Sequence, residues 1–279
     1  MLSQYIRTIN SDNGTLTDVS IISQTTDSTL TAPIVSGEDY TYIGQYLPSN
    51  NMFFEIDTAN TNAAVIQIQY WDGTTWRDVV DILDGTSTSS KTLAQSGVIQ
   101  WSINNNYGWV KAQDTSEDIS ALSTLTIYNL YWMRFSSSAD LSSGSLLDRV
   151  TYKFTDADAL TQLEPDLTNI ASAWGVSDWL DQMLLASKHV WHELRNRDLI
   201  KGAQNILRFD DVYMATAYRT LAIIYDGLAS SNEVYVDKKL EALREFKDLL
   251  SGSATYYDRN EDSLVNSNEI AYKSARTIR

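Results

Sequence analysis

From Tyr257 to Glu269 the chain reads Tyr-Asp-Arg-Asn-Glu-Asp-Ser-Leu-Val-Asn-Ser-Asn-Glu. Counted from Asp258, oxygen-bearing side chains fall at the first, third, fifth, ninth and twelfth places of a twelve-residue loop. That is the spacing of an EF-hand. Ca²⁺ is a hard cation that takes about six to eight oxygens, so a loop wound around it needs carboxylates or amides at alternate places, one main-chain carbonyl and a closing bidentate carboxylate. Asp258, Asn260, Asp262, the Leu264 carbonyl, Asn266 (directly or through water) and Glu269 meet that requirement, and Val265 stands where the loop usually packs an apolar residue. The departure is Ser263 at the sixth place, where glycine is usual because the turn needs positive φ; a non-glycine residue there costs on the order of 1 kcal/mol. The same segment also fits a polar, capped turn between two helices. With a single loop there is no second site to cooperate with, so a bound ion would have a structural role.

Other groups capable of chemistry are sparse. His189 and His192, the only histidines, stand three apart beside Glu193 and lack the i, i+4 spacing of a zinc-protease helix, so they read as helix-surface residues. Asp72-Gly73 and Asp84-Gly85 read as turns. There is no nucleophile elbow, phosphate-cradling glycine loop or dinucleotide fingerprint, and the expectation is a protein that is not an enzyme. Lys273, Arg276 and Arg279 give the C-terminus a basic run, which is either a solvated helix end or a tail that docks on an acidic partner surface.

The composition limits what surrounds these residues. A net charge of -15 opposes phosphate-backbone contacts, and no basic patch stands out, so sequence-specific nucleic-acid binding is not expected. Without cysteine there is neither disulfide nor thiolate zinc site. Tryptophan and tyrosine, at 8 and 16 against 6 phenylalanines, suit half-buried sheet faces and interfaces. The N-terminus lacks the pattern of a secretory signal and no apolar run is long enough to span a membrane, so a soluble, cytoplasmically assembled protein is expected.

Two kinds of element must position these residues. Up to about Phe154 the chain is rich in Thr, Ser, Val, Ile and Tyr and is punctuated by turn clusters, an all-β signature. Ile66, Ile68 and Tyr70 alternate, Asp72-Gly73 turns, and Trp76 to Val80 returns as a hairpin; further strands are expected at 40–46, 53–57, 98–103, 109–112 and 131–136. After about Thr155 the period becomes helical. One helix starts at Ser177 or Asp178; a second from Asp210 or Asp211 carries Val212, Ala215, Tyr218, Leu221, Ala222, Tyr225 and Leu228; a third, Glu233 to Leu250, buries Val236, Leu240, Leu243, Phe246 and Leu250; a fourth lies around 166–174. The fold class expected is α+β in two domains. These are an N-terminal antiparallel β-sandwich, jelly-roll-like, over 1–156 and a small α-helical bundle over 157–252, followed by the EF-hand-like loop and basic tail of 253–279, with Glu269 to Arg276 as the exiting helix.

On these residues the chain resembles virion structural proteins of tailed bacteriophages. Gln69-Tyr70-Trp71-Asp72-Gly73-Thr74-Thr75-Trp76, Asp84-Gly85-Thr86, Thr92 to Gly97, Trp101 and Tyr131 to Phe135 are similar to the β-sandwich of such proteins, and the tyrosine-rich helix with the loop and basic tail is similar to the helical core of head-tail adaptors. The resemblance implies a neck component: a homo-oligomeric ring, commonly dodecameric, beneath the portal protein and above tail or neck proteins, through which DNA passes. It also implies that Lys273, Arg276 and Arg279 dock on the portal. A rival reading makes the sandwich a carbohydrate- or receptor-binding module with Trp71, Trp76, Trp101 and Trp109 as stacking platforms; a jelly-roll polysaccharide-degrading enzyme would need paired carboxylates in one cleft.

Overall fold

The computed structural model describes residues 6–24, 30–103, 108–112, 130–197, 199–200, 203–206, 210–230, 232–252, 255–256 and 270–271. Strands come first in the chain and helices after, and the described residues form two compact units that divide between Thr151 and Tyr152.

The first unit is built from β1 (Arg7–Asp12), β2 (Thr15–Asp18), β3 (Leu30–Thr31), β4 (Tyr40–Gln45), β5 (Asn51–Thr58), β6 (Ile66–Trp71), β7 (Trp76–Asp78), β8 (Val80–Asp84), β9 (Gly97–Ser102), β10 (Lys111–Ala112), β11 (Leu130–Ser137) and β12 (Leu146–Thr151). Two antiparallel sheets result, one ordered β2-β1-β4-β11-β6-β7 with β10 on β11, the other β3-β12-β5-β9-β8. The alternation in β6 does what its period dictates: Ile66, Ile68 and Tyr70 are buried, while Gln67 is exposed and Gln69 half-buried. Trp71 faces Trp76 across the predicted hairpin, but the return strand stops at Asp78, and from Val80 the chain belongs to the other sheet. β11 lies between β4 and β6, with Met133 opposite both Ile43 and Tyr70. Its Phe135 ring meets Phe54 of β5 at 5.2 Å and Trp101 of β9 at 5.8 Å, so the two sheets share one aromatic core.

The second unit contains α1 (Ala157–Leu163), α2 (Leu167–Trp174), α3 (Leu180–Asn196), α4 (Asp210–Leu228), α5 (Val234–Gly252), β13 (Thr255–Tyr256) and β14 (Ile270–Ala271). Asp156 caps α1 by accepting the Ala159 N–H at 3.0 Å. α4 is central, packing on α1, α3 and α5. Its buried Ala215, Thr216, Ala217, Thr220 and Ala222 let those neighbours approach, and the threonine hydroxyls are satisfied by donating to carbonyls one turn back. The apolar stripe of α5 is rotated from the predicted one. Ala242, Phe246 and Leu250 are buried and Leu243 packs partly against the core, whereas Val236 and Leu240 remain 40% and 59% exposed. Among the described residues no helix is long and apolar enough to cross a membrane.

Candidate functional site

The expected calcium ligands Asp258, Asn260, Asp262, Leu264, Asn266 and Glu269, and the basic Lys273, Arg276 and Arg279, lie outside the described residues. Their flanks correct one expectation. α5 ends at Gly252, and Thr255 and Tyr256 then pair antiparallel with Ala271 and Ile270. Residues 270–271 are therefore strand, not the start of an EF-hand's exiting helix.

The histidines do not form a metal pair. His189 Nδ1 accepts a hydrogen bond from Arg219 Nε at 3.0 Å, while the His192 ring stacks on Trp191 at 3.9 Å. Burial, and then the Arg219 guanidinium and His192, hold His189 below the ordinary histidine range. Among the described residues no cluster of His, Cys, Asp and Glu has the make-up of a metal site.

The four tryptophans of the sugar-stacking reading are largely committed to packing. Trp71 and Trp101 are buried, and Trp101 donates its indole N–H to the Ser49 carbonyl at 2.9 Å. Half-buried Trp109 donates to the Trp132 carbonyl at 3.1 Å, and half-buried Trp76 packs on Trp71 and takes the Arg134 guanidinium at 4.8 Å. Asp72 and Asp84 are turn residues. Asp72 accepts the Thr74 and Thr75 N–H groups and Arg77 Nε; Asp84 accepts the Thr86 N–H and hydroxyl and the Thr92 hydroxyl. Burial alone would raise the Asp72 carboxyl, but hydrogen bonds from Thr75, Arg77 and Thr74 outweigh it and hold that carboxyl far below its usual range.

The polar site that the helical unit does assemble centres on Glu164. Pro165 stops α1, and the residue before a proline is pushed out of helical conformation, as the φ of -135° and ψ of 87° at Glu164 show. The Glu164 carboxylate accepts the Tyr225 hydroxyl of α4 at 2.6 Å and the Lys238 ammonium of α5 at 2.5 Å. Burial raises its pKa, but hydrogen bonds from Lys238 and Tyr225 and the charge of Lys238 prevail and lower it. The Tyr225 phenol is driven far up, first by burial and then by its bond to Glu164. Neither partner changes protonation near neutrality, so the pair suits binding and not proton transfer.

Beside this pair opens a cavity of about 420 Å³, whose walls add Tyr218, Leu221, Ala242, Glu241 and Glu245. Tyr218 and Tyr225 fall on the apolar periodicity of α4, which by itself marks them as packing residues. Nothing local linked them to Glu164, because its partners Tyr225 and Lys238 are 61 and 74 positions away. No match to a protein family, to a characterised protein or to a solved structure is found for this chain.

Proposed function

We propose that this chain is a virion structural protein of the neck of a tailed phage, a head-tail adaptor that works through its interfaces as a homo-oligomeric ring between portal and tail. In this reading the strand-rich unit is a jelly-roll-like sandwich domain carried on the outside. The helical unit is a separate domain that builds the ring, the basic Lys273, Arg276 and Arg279 dock on the portal, and the 258–269 loop holds a structural Ca²⁺. DNA passes through the ring without sequence-specific contacts.

The observation that carries the reading is the ridge on α5. Val236 and Leu240 stand one helical turn apart and exposed, with Val234 exposed by 56% at the start of the helix. Burying a leucine or valine side chain is worth about 1.5–3 kcal/mol, so an apolar ridge left on a charged helix favours association with another chain. The net charge of -15 supports the second element, since a negatively charged protein does not retard DNA sliding past it.

The test is the molar mass of the purified chain by light scattering, alone and mixed with a candidate portal ring, with negative-stain imaging of the peak. Rings, or monomers that assemble when portal is added, are expected. A monomer that ignores the portal overturns the proposal. The sugar-binding reading is less favoured, because two of its four tryptophan platforms are buried.

A further inference from the structure

The strand-rich unit has four arginines, and three of them hold a carboxylate: Arg7 pairs with Asp18, Arg77 with Asp72 and Arg149 with Glu55. The fourth, Arg134, has no ion pair among the described residues, although acidic side chains outnumber Lys and Arg by 36 to 21 in the chain.

Strand period and register place Arg134 within a larger arrangement. Phe135 points into the aromatic core that the two sheets share, so its neighbour Arg134 lies on the outer face of the larger sheet. It is aligned with Tyr42 of β4 on one side and with Gln69 of β6 on the other, and Gln69 is aligned with Asp78 of β7. These four residues make one row across four strands, about 14 Å long. Arg134 Nε donates to Gln69 Oε1 at 2.7 Å, and Gln69 Nε2 donates to Asp78 Oδ1 at 2.8 Å. The guanidinium carbon is 4.4 Å from the Tyr40 ring centroid and 4.8 Å from that of Trp76. All of these side chains are half-buried except Asp78, which is exposed.

Two rings and the bond at Nε therefore fix the guanidinium before any ligand arrives. The Tyr42 hydroxyl lies beside it, but the terminal nitrogens carry more N–H groups than one hydroxyl accepts, and they form the fork that grips a carboxylate. The rest of the row says what else that ligand carries. Asp78 accepts from hydroxyls and repels a second anion, Gln69 has a second amide N–H to donate, and the Tyr40, Tyr42 and Trp76 rings suit the C–H faces of a sugar. A densely charged acidic peptide or phosphate chain would set its charges against Asp78 and against the net -15 of the chain. A saccharide with one carboxylate among several hydroxyls meets no such opposition.

We propose that the outer face of the larger sheet binds an acidic polysaccharide, with a sugar carboxylate on Arg134, hydroxyls on Gln69 and Asp78, and C–H faces against Tyr40, Tyr42 and Trp76. Of the four tryptophans in the sugar-stacking reading above, this site uses Trp76 alone. It adds a ligand to the sandwich and does not rest on the neck assignment.

The test is affinity electrophoresis and calorimetry of the full chain with carboxylated glycans (polygalacturonate, alginate, hyaluronan and polysialic acid), their methyl esters, dextran sulfate and polyglutamate. Binding to at least one carboxylated glycan is expected, and it should weaken as salt rises. Affinity should fall at least about tenfold on methyl esterification and in Arg134→Lys, which keeps the charge but loses the planar fork. Folding is checked by circular dichroism; if Arg134→Lys does not fold, Tyr40→Leu serves in its place and should weaken binding in the same direction. No binding to any carboxylated glycan, equal binding of the esters, or unchanged affinity in the folded variant overturns the proposal. Dextran sulfate bound as tightly would mean general attraction to polyanions, and polyglutamate bound as tightly would mean an acidic protein partner; either result overturns it too. No portal takes part, so failure here and failure of ring assembly are separate results.

Discussion

Glu164 shows how much of a site can hang on one side chain. Glu164→Gln keeps the shape but leaves Lys238 without its counter-charge and Tyr225 bonded to a neutral amide. We expect a loss of about 1–3 kcal/mol in denaturant unfolding, and about 1 kcal/mol for Tyr225→Phe. The pH dependence has a definite sign. Folding lowers the Glu164 carboxyl below its ordinary 4.5, so its contribution is present above that value and is lost as pH falls through the folded value. The Gln variant should therefore lose less stability than the parent as pH falls below the ordinary 4.5, and equal acid limbs would refute this. His189 adds an earlier step, because its folded value lies below the ordinary 6.5 and the unfolded chain takes up the proton first as pH falls. At this scale the sequence was only partly legible. Asp72 and Asp84 could be read as turn residues because an Asx turn is closed by neighbours two or three positions away. The Glu164 triad could not, since no local pattern announces partners brought together by packing.

Among the elements, legibility followed periodicity. β6 was readable because burial on one face forces strict alternation, and α4 because its apolar residues recur at helical spacing. The hairpin of β1 and β2 was missed although Asn13-Gly14 marks it; both residues adopt positive φ, 45° and 79°, as a two-residue turn between twisted strands requires. α5 was found but turned the wrong way. Val236 and Leu240 continue the apolar series of Leu243 and Leu250, so spacing alone could not say where the core ends and an exposed ridge begins. A sharper packing constraint lies between β9 and the turn after β8. A Cβ on Gly97 would stand 2.2 Å from the Gly85 carbonyl oxygen and 2.4 Å from its carbon, backbone atoms that no rotamer change can move. Gly97→Ala should cost at least about 1–3 kcal/mol, while Gly144→Ala, with nothing within 4 Å of the new methyl, should change little. Thermal melts of the two variants check the contrast.

For the molecule as a whole, the α+β class and the order of strands before helices could be read from composition and period, whereas assembly depends on surfaces that no period encodes. Leu240→Ser removes apolar area from the α5 ridge without opening a core. Its unfolding midpoint should stay near that of the parent while ring or portal-bound species disappear from light scattering; retention of the assembly would exclude the ridge as its interface. Calcium is tested separately: heat on titration into chelator-treated protein, and a melting temperature raised by the ion, should both vanish in Glu269→Gln. The position of β11 has its own bearing on how the protein is made. Because that strand pairs with both β4 and β6, the larger sheet cannot close until residues 130–137 have left the ribosome. At roughly 5–20 residues per second, the nascent chain waits on the order of several seconds after Trp71 with two strand edges open. Those edges are ready templates for a neighbouring chain on the same messenger, so fragments that end before Leu130 should collect in the insoluble fraction and the full chain should gain most from chaperones during that interval.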